Sequence, residues 1–284
     1  MPLNRALVGK SYAPQDYGVT AEAILNYAHA YNEDNPWFLA VERPGGIIAP
    51  PMFGVVAGWL SIVNVVTDSD LNVDVLRLLH SEQDMQFVRP MIPGDIITST
   101  ATVAAIEEEA AGESLAIDVH CANQRTELVQ TIRFTALIRG RGSRDKKRPL
   151  ATETTSLGEP LFRVRQKIDD DQTYRYAKAS GDYNPIHVDE NVAKLAGLPG
   201  IIVHGLCTMA FASKVMIDRV CGSDPRRLRR LRVRFSRPVL PGQEITTAAW
   251  PQPDRDGVKV YAYETYNPDG KDVIRDGIAE VSAG

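Results

Sequence analysis

Alternating apolar and polar positions predict a β-rich second half of the chain. Leu231-Arg232-Val233-Arg234-Phe235 alternates with period two, as a half-buried strand does. Gly242 to Trp250, Val258 to Tyr266 and Val273 to Val281 extend this to four strands, separated by Pro, Gly, Asp and Asn. Three helices are predicted before the strands. Asp171 can cap the first, Gln172 to Ser180, which Gly181 ends; Asp189 can cap a second, short helix that stops at Gly197; and a long apolar helix runs from Gly205 to Val220.

The first half shows the same order of elements. An apolar helix from Met52 to Val66 precedes four predicted strands, near Met85–Arg89, Asp95–Ile106, Ser114–Cys121 and Glu127–Ile138. One buried helix followed by an antiparallel sheet is an α+β layout in which the sheet wraps the helix.

Matched landmarks indicate an internal repeat. Tyr27-Ala28-His29-Ala30 with Asn35-Pro36 returns as Tyr176-Ala177-Lys178-Ala179 with Asn184-Pro185, at an offset of about 149. Phe87 to Gly94 returns as Phe235 to Gly242 at an offset of about 148. Between them, Pro44-Gly45-Gly46-Ile47-Ile48 is echoed by Pro199-Gly200-Ile201-Ile202. We therefore predict two related domains, 1–140 and 161–284, joined by a polar, glycine-containing linker at 141–160.

Composition agrees with two small domains and narrows the function class. The 284 residues match two domains at about 150 residues each. The net charge of −4 disfavours a general nucleic-acid binder. Three scattered cysteines form no zinc pattern or disulfide framework, which favours a reducing compartment such as the cytoplasm. The uncharged run from Pro44 to Thr67 is interrupted by Pro50-Pro51, so we expect a buried helix there and no membrane span.

Candidate chemistry is concentrated in the second half. Asp182 and His187 flank an Asn-Pro turn, which can bring a carboxylate and an imidazole to one point. Together these groups can hold a water and take its proton. Gly205 begins the long helix, where a free backbone N–H and the helix dipole can stabilise a developing oxyanion.

The run resembles the MaoC-like, R-specific enoyl-CoA hydratase signature, a Tyr followed by Ser-Gly-Asp-x-Asn-Pro-(apolar)-His. It matches from Tyr176 and Ser180 to His187, and Val203-His204-Gly205 is similar to the family's helix start. The resemblance implies a tandem (double) hot-dog fold. It also implies hydration of a trans-2-enoyl thioester to a (3R)-3-hydroxyacyl thioester, or the reverse dehydration. It carries the catalytic roles onto Asp182 and His187 and the substrate-facing roles onto Gly205, Asn184 and Ser213.

The first half lacks the residues that carry the chemistry in this signature. Glu33 stands in place of Asp182, Phe38 in place of His187, and Pro50-Pro51 in place of His204-Gly205. Phe cannot transfer protons and Pro has no N–H to donate. We expect one active site per chain, with a degenerate first domain whose Trp37 and Phe38 help to line an acyl pocket. Trp59 is expected to belong to the core.

A cluster of seven arginines between Arg226 and Arg237 stands out in an acidic chain. Arginine suits phosphates, and coenzyme A carries several, so Arg232 and Arg234 are candidate phosphate contacts. The alternative is a solvated strand face, and an acidic acyl carrier protein would fit the same patch.

Other interpretations stay open at this point. Asp182 could serve the turn alone, and His204 is expected to hold the helix entrance. A metal site from Asp182, His187, Asp189 and His204 matches no established ligand spacing, so no metal or other cofactor is expected. The rival functions are a hot-dog acyl thioesterase and a non-catalytic acyl-thioester binding module. The family resemblance favours a homodimer of double hot-dogs, and the sequence leaves open the acyl chain and the direction of the reaction.

Overall fold

The chain forms one continuous, antiparallel ten-stranded sheet made of two sets of five strands. The computed structural model describes residues 1–140 and 158–283. The strands are β1 Gln15–Gly18, β2 Leu78–Phe87, β3 Ile96–Glu109, β4 Gly112–Ala122, β5 Leu128–Arg139, β6 Phe162–Lys167, β7 Leu228–Phe235, β8 Glu244–Arg255, β9 Val258–Tyr266 and β10 Asp272–Ser282. Their spatial order is β1-β3-β4-β5-β2-β7-β10-β9-β8-β6, so each half supplies one side of the sheet. Most of the predicted linker, 141–157, lies outside the described residues, and the domain boundaries remain a prediction.

The helices largely follow the sequence prediction. They are α1 Ala21–His29, α2 Pro36–Leu39, α3 Gly54–Ala57, α4 Trp59–Val66, α5 Gln172–Ser180, α6 Glu190–Leu195 and α7 Gly205–Val220. The predicted limits of α5 and α7 are confirmed, and Asp189 caps α6 by accepting from the backbone N–H groups of Asn191 and Val192. The prediction for Asp171 is wrong in one respect, because its carboxylate pairs with Arg175 instead of capping α5.

The single helix predicted from Met52 to Val66 is wrong, because the structure has two short helices there, α3 and α4, interrupted at Gly58. A glycine inside a helix weakens it. Gly58 also sits tightly, since a Cβ there would lie 3.1 Å from the Gly54 carbonyl oxygen. Among the described residues, the long uninterrupted helix is therefore α7 of the second half, which is buried along most of its length.

Corresponding backbone hydrogen bonds confirm the internal repeat. The Ala49 N–H donates to the Met91 carbonyl at 2.8 Å, and the Val203 N–H donates to the Val239 carbonyl at 2.8 Å. Ala49 is thus the counterpart of Val203, which makes Pro50 and Pro51 the counterparts of His204 and Gly205.

The two halves meet where β2 pairs with β7. Asp84 lies directly opposite Arg232, its own counterpart at the 148-residue offset, so an approximate two-fold axis passes between them. Side chains cross this seam: Arg230 forms a bidentate pair with Asp84 at 2.6 and 2.8 Å. The arrangement is the predicted double hot-dog, with α7 against the sheet of the second half. In the described part of the chain, every helix is too short or too polar to cross a bilayer.

Candidate active site

The turn after α5 is built by its own side chains. Gly181 ends the helix in the left-handed conformation (φ 79°), which glycine adopts without strain. The Asn184 N–H then donates to Asp182 Oδ1 at 3.1 Å, and Asn184 Oδ1 accepts from the Ile186 N–H. Pro185 starts a short 3₁₀ turn that ends at His187. The Asp-x-Asn-Pro sequence thereby folds Asp182 and His187 back towards each other.

His187 is held in one tautomer. Its Nδ1 lies 2.8 Å from the carbonyl oxygen of Ile202, an acceptor, so Nδ1 carries the proton and Nε2 keeps its lone pair. The ring is buried, with 7% exposure. The backbone just before α7 therefore orients the base nitrogen of His187.

His204 supports this arrangement from the start of α7. Its Nε2 donates to the backbone carbonyl of Asp182 at 2.9 Å, and its ring stacks on His187 with centroids 3.8 Å apart. Burial, followed by the neighbouring His187, lowers the pKa of His204 to about 3. The imidazole is therefore neutral at physiological pH, with the contacts of a positioning residue.

The Asp182 carboxylate and the His187 imidazole form a spaced pair. One oxygen of Asp182 and one ring nitrogen each of His187 and His204 lie within 4.8 Å of one another. A water bridging the two side chains fits this span, because two ordinary hydrogen bonds cover it. Burial raises the pKa of Asp182, with His187 opposing; burial lowers the pKa of His187, with Asp182 opposing. Both shifts move the pair towards similar proton affinities, as proton transfer requires.

Gly205 lies next to this pair as the first residue of α7. His204 gives the helix no side-chain cap, and first-turn N–H groups have no acceptor within the helix. A Cβ at Gly205 would lie 3.2 Å from the ring of Phe235, so the ring closes over the helix start. The backbone N–H of Gly205 is thus available beside the carboxylate–imidazole pair.

The two other predicted substrate residues differ in their placement. Asn184 is exposed at the turn, and within the described residues its amide nitrogen has no partner, so it is free to donate to a ligand. Ser213 is buried on α7, about 12 Å beyond Gly205 by the rise of the helix. Asn184 therefore lies in the same turn as the pair, Ser213 lies about two turns further along α7, and the substrate role of both stays a prediction.

The histidine geometry does not favour a metal site. The His187 and His204 rings are stacked and tilted by only 26°, so their lone pairs lie in two nearly parallel planes. Zinc ligation needs lone pairs that converge on one point. Asp189, the fourth residue considered from the sequence, is committed to capping α6.

The candidate phosphate contacts already have carboxylate partners. Arg232 Nη2 lies 3.3 Å from Glu82, and Arg234 Nε donates to the same carboxylate at 2.9 Å. These arginines stand on the half-exposed face of β7, while Leu231 and Val233 point into the core. Coenzyme A phosphates would have to compete with Glu82, and the phosphate role stays a prediction.

The remnant of a site in the first half has become structural. Phe38 is fully buried, and Glu33 accepts from the backbone N–H groups of Asp34 and Asn35. Glu33 also lies 3.5 Å from Lys214 of α7, so it forms an ion pair between the two halves. The counterpart of Asp182 thus links the two halves of the chain.

Sequence reasoning missed two neighbours of the site. Tyr176 lies beside His204, with ring centroids 5.0 Å apart, although its place at the head of the motif gave a signal. Trp59 lies 3.6 Å from the position of a Cβ on Gly181, so it contacts the turn and is not a core residue alone. It comes from the first half, and no sequence spacing indicated the contact.

Comparisons with known proteins agree with this geometry. Residues 152–270 match a MaoC like domain, and residues 6–132 match a FAS1-like dehydratase domain region. "3-hydroxyacyl-thioester dehydratase Y" of Mycobacterium tuberculosis is 30% identical over 218 residues, 73% of each chain. "Probable enoyl-CoA hydratase 2" of Dictyostelium discoideum is 25% identical over 97% of this chain and 95% of its own.

A longer relative and a solved structure complete the comparison. The chain spans only 30% of the mouse "Peroxisomal multifunctional enzyme type 2", to which it is 27% identical over 223 residues. A MaoC-like dehydratase from Phytophthora capsici superimposes with a TM-score of 0.84 over 99% of this chain and 98% of that one, at 23% identity. With the repeat, the turn and the helix start all in place, the chain belongs to the MaoC-like dehydratase family.

Proposed function

We propose that the chain catalyses the reversible hydration of a trans-2-enoyl thioester, carried by coenzyme A, to a (3R)-3-hydroxyacyl thioester. The observation that supports this most is the spaced Asp182–His187 pair beside the uncapped start of α7. The names of the relatives from M. tuberculosis and D. discoideum point to the same reaction class, a carbon–oxygen lyase.

The proposed chemistry uses the chain's own groups only. A water between Asp182 and His187 gives a proton to the pair as its oxygen bonds to C3 of the enoyl group. The C2–C3 double bond becomes an enolate, whose thioester oxygen accepts a hydrogen bond from the Gly205 N–H. The proton then passes from the pair to C2, on the face that received the hydroxyl, which gives syn addition. Dehydration is the same path in reverse.

We infer one active site per chain. Phe38 cannot accept a proton, and Pro51 offers no N–H where Gly205 offers one. Trp59 suggests that the first half also shapes the site, since it reaches the turn at Gly181.

The test measures two reactions in the same sample. Loss of the enoyl absorbance of crotonyl-CoA reports hydration, and a thiol reagent reports free coenzyme A. We expect hydration without thiol release, with a product that an S-specific 3-hydroxyacyl-CoA dehydrogenase leaves unoxidised. Thiol release would instead identify a thioesterase, and tight binding without either signal would identify a binding module.

The proposal extends to the acyl carrier of the substrate, the oligomeric state of the chain and its cellular compartment. The names of the hydratase relatives favour coenzyme A over an acyl carrier protein. The family resemblance favours a homodimer. Cys121, Cys207 and Cys221 are free and buried, which suits a reducing compartment such as the cytoplasm. Light scattering of the purified chain tests the assembly: about 63 kDa, twice the chain mass of 31.3 kDa, is expected for a dimer.

A further inference from the structure

The first half contains a cavity beside Pro50 and Pro51, the residues that correspond to the start of α7. The cavity has a volume of about 290 Å³ and is bounded by residues 48–51 and 87–91, by Gln130, and by Pro225, Arg226, Leu228 and Arg229 of the second half. Pro50 and Pro51 are the counterparts of His204 and Gly205, as the matched hydrogen bonds of Ala49 and Val203 show. The first half therefore keeps an open cavity next to the position that corresponds to Gly205.

The cavity has an apolar wall and a buried amide. Ile48, Ala49 and Met91 are buried apolar residues along it. Gln130 is only 3% exposed, and among the described residues its amide nitrogen has no hydrogen-bond partner. A buried donor without a partner is costly, so a ligand that accepts from Gln130 would recover that energy.

Guanidinium groups surround the mouth. Arg89 faces Glu127 at 3.7 Å, and Arg226 pairs with Asp224 while stacking on Trp37 at 4.1 Å. Arg229 is exposed and, in the part of the chain that the structure describes, lies in no ion pair. The mouth therefore carries positive charge that is only partly balanced.

The catalytic half differs at the same positions. The 3₁₀ turns Val75–Arg77 and Pro225–Arg227 correspond at an offset of 150, each beginning after an aspartate. Leu76 and Leu79 thus occupy the places of Arg226 and Arg229. The two sites therefore differ in charge at the mouth, although their walls descend from the same fold.

We propose that this cavity is a second, non-catalytic binding site for a medium-length acyl chain with an anionic head, from a fatty acid or an acyl-CoA. The apolar wall takes the chain, Gln130 donates to the carbonyl or carboxylate oxygen, and Arg229 faces the negative charge. The volume lies near the lower end, about 300 Å³, of small-molecule sites, which favours a medium chain.

The test is backbone amide hydrogen exchange of the full-length chain, measured separately with octanoate, with octanoyl-CoA and with free coenzyme A. Octanoate or octanoyl-CoA is expected to slow exchange at residues 48–54 and 87–91, and comparing the two assigns the source of the head group. Three results would overturn the proposal: protection confined to residues 182–205, protection of the cavity by free coenzyme A, and no protection.

Titration calorimetry on variants provides a second test, because it measures the affinity of the ligand directly. Arg229→Glu should weaken binding of the protecting ligand at this cavity at least about tenfold while leaving enoyl-CoA hydration unchanged. Gln130→Leu should weaken it in the same direction. Arg165→Glu, an equal charge reversal on exposed edge strand β6, is the matched control and should bind as the wild type does. Equal weakening by Arg165→Glu and Arg229→Glu would show a general charge effect and contradict the site.

Discussion

The hydroxyl groups of Tyr27 and Tyr176 lie 3.2 Å apart, joining two counterparts in the repeat across the centre of the molecule. Their rings are 5.7 Å apart and both are fully buried. The Tyr27 hydroxyl also donates to the Met52 carbonyl at 3.3 Å, so Tyr176 supplies the proton shared by the tyrosines. The two halves have thus kept this contact on the approximate axis while their active-site positions diverged.

This relationship predicts unequal costs for the two hydroxyls. Tyr27→Phe leaves the buried Tyr176 hydroxyl without an acceptor and should lower the free energy of unfolding by about 1–3 kcal/mol. Tyr176→Phe leaves Tyr27 still bonded to Met52 and should cost about 1 kcal/mol or less. Urea unfolding measures both. Equal costs, or a larger cost for Tyr176→Phe, would contradict the assigned hydrogen-bond direction.

Stability should fall in acid because of the buried histidine His204. Its folded-state pKa of about 3 lies below the ordinary value near 6.5, so the unfolded chain binds more protons between these values. The free energy of unfolding should be independent of this group above pH 6.5. It should decrease by up to about 1.4 kcal/mol per pH unit below that value.

Unfolding of His204→Gln at several pH values checks this assignment. Glutamine can keep the donor to the Asp182 carbonyl but cannot titrate, so the acid slope should be shallower. Part of the slope should remain, because burial also lowers the pKa of His80, to about 4, and the pKa of His187. The exposed His29→Gln is the matched control, and an equal change in its slope would argue against His204 as the source.

The pH–rate profile should show a single acid limb. Hydration in the forward direction needs Asp182 charged and His187 neutral. Burial raises the pKa of Asp182 and lowers the pKa of His187. We expect kcat/KM to be level through neutral pH and to fall only on the acid side of the ordinary histidine pKa of about 6.5. A limb centred above pH 6.5 would contradict the proposed protonation states.

Gly205→Ala tests the helix start without removing a catalytic side chain. The added methyl group meets the Phe235 ring at 3.2 Å, so either the ring or the first turn of α7 must shift. We expect kcat to fall at least about tenfold, since a misplaced oxyanion donor weakens transition-state binding. In the double variant with Phe235→Leu, part of the activity should return. A Gly205→Ala enzyme with normal kcat would exclude the close approach assumed for the substrate oxygen.

The sequence predicted the elements whose limits depend on residues close together in the chain. Helix α7 and the turn from Gly181 to His187 are specified by capping residues, glycine and proline within a few positions, and so their limits could be found. The repeat identifies counterpart residues from the sequence alone, and the backbone hydrogen bonds of Ala49 and Val203 agree with that assignment.

Contacts between distant segments could not be found in this way. The edge strands β1 and β6 are short and were missed, since their pairing depends on neighbours far along the chain. Arg234 meets Glu82 across 152 residues, and no spacing rule links them. The same holds for Trp59 at Gly181, because tertiary packing, and not propensity, sets which face of α4 meets the second half.

A single active site in the second half is tested by measuring kcat for two variants, Asp182→Asn and Glu33→Gln, which make the same chemical change at counterpart positions. We predict that Asp182→Asn loses at least about 10²-fold in kcat on an enoyl-CoA while still folding. Glu33→Gln should keep its kcat and lose only stability, since Glu33 contacts Lys214 and backbone N–H groups. Near-normal hydration by Asp182→Asn, or an equal loss of kcat in Glu33→Gln, would contradict a single active site in the second half.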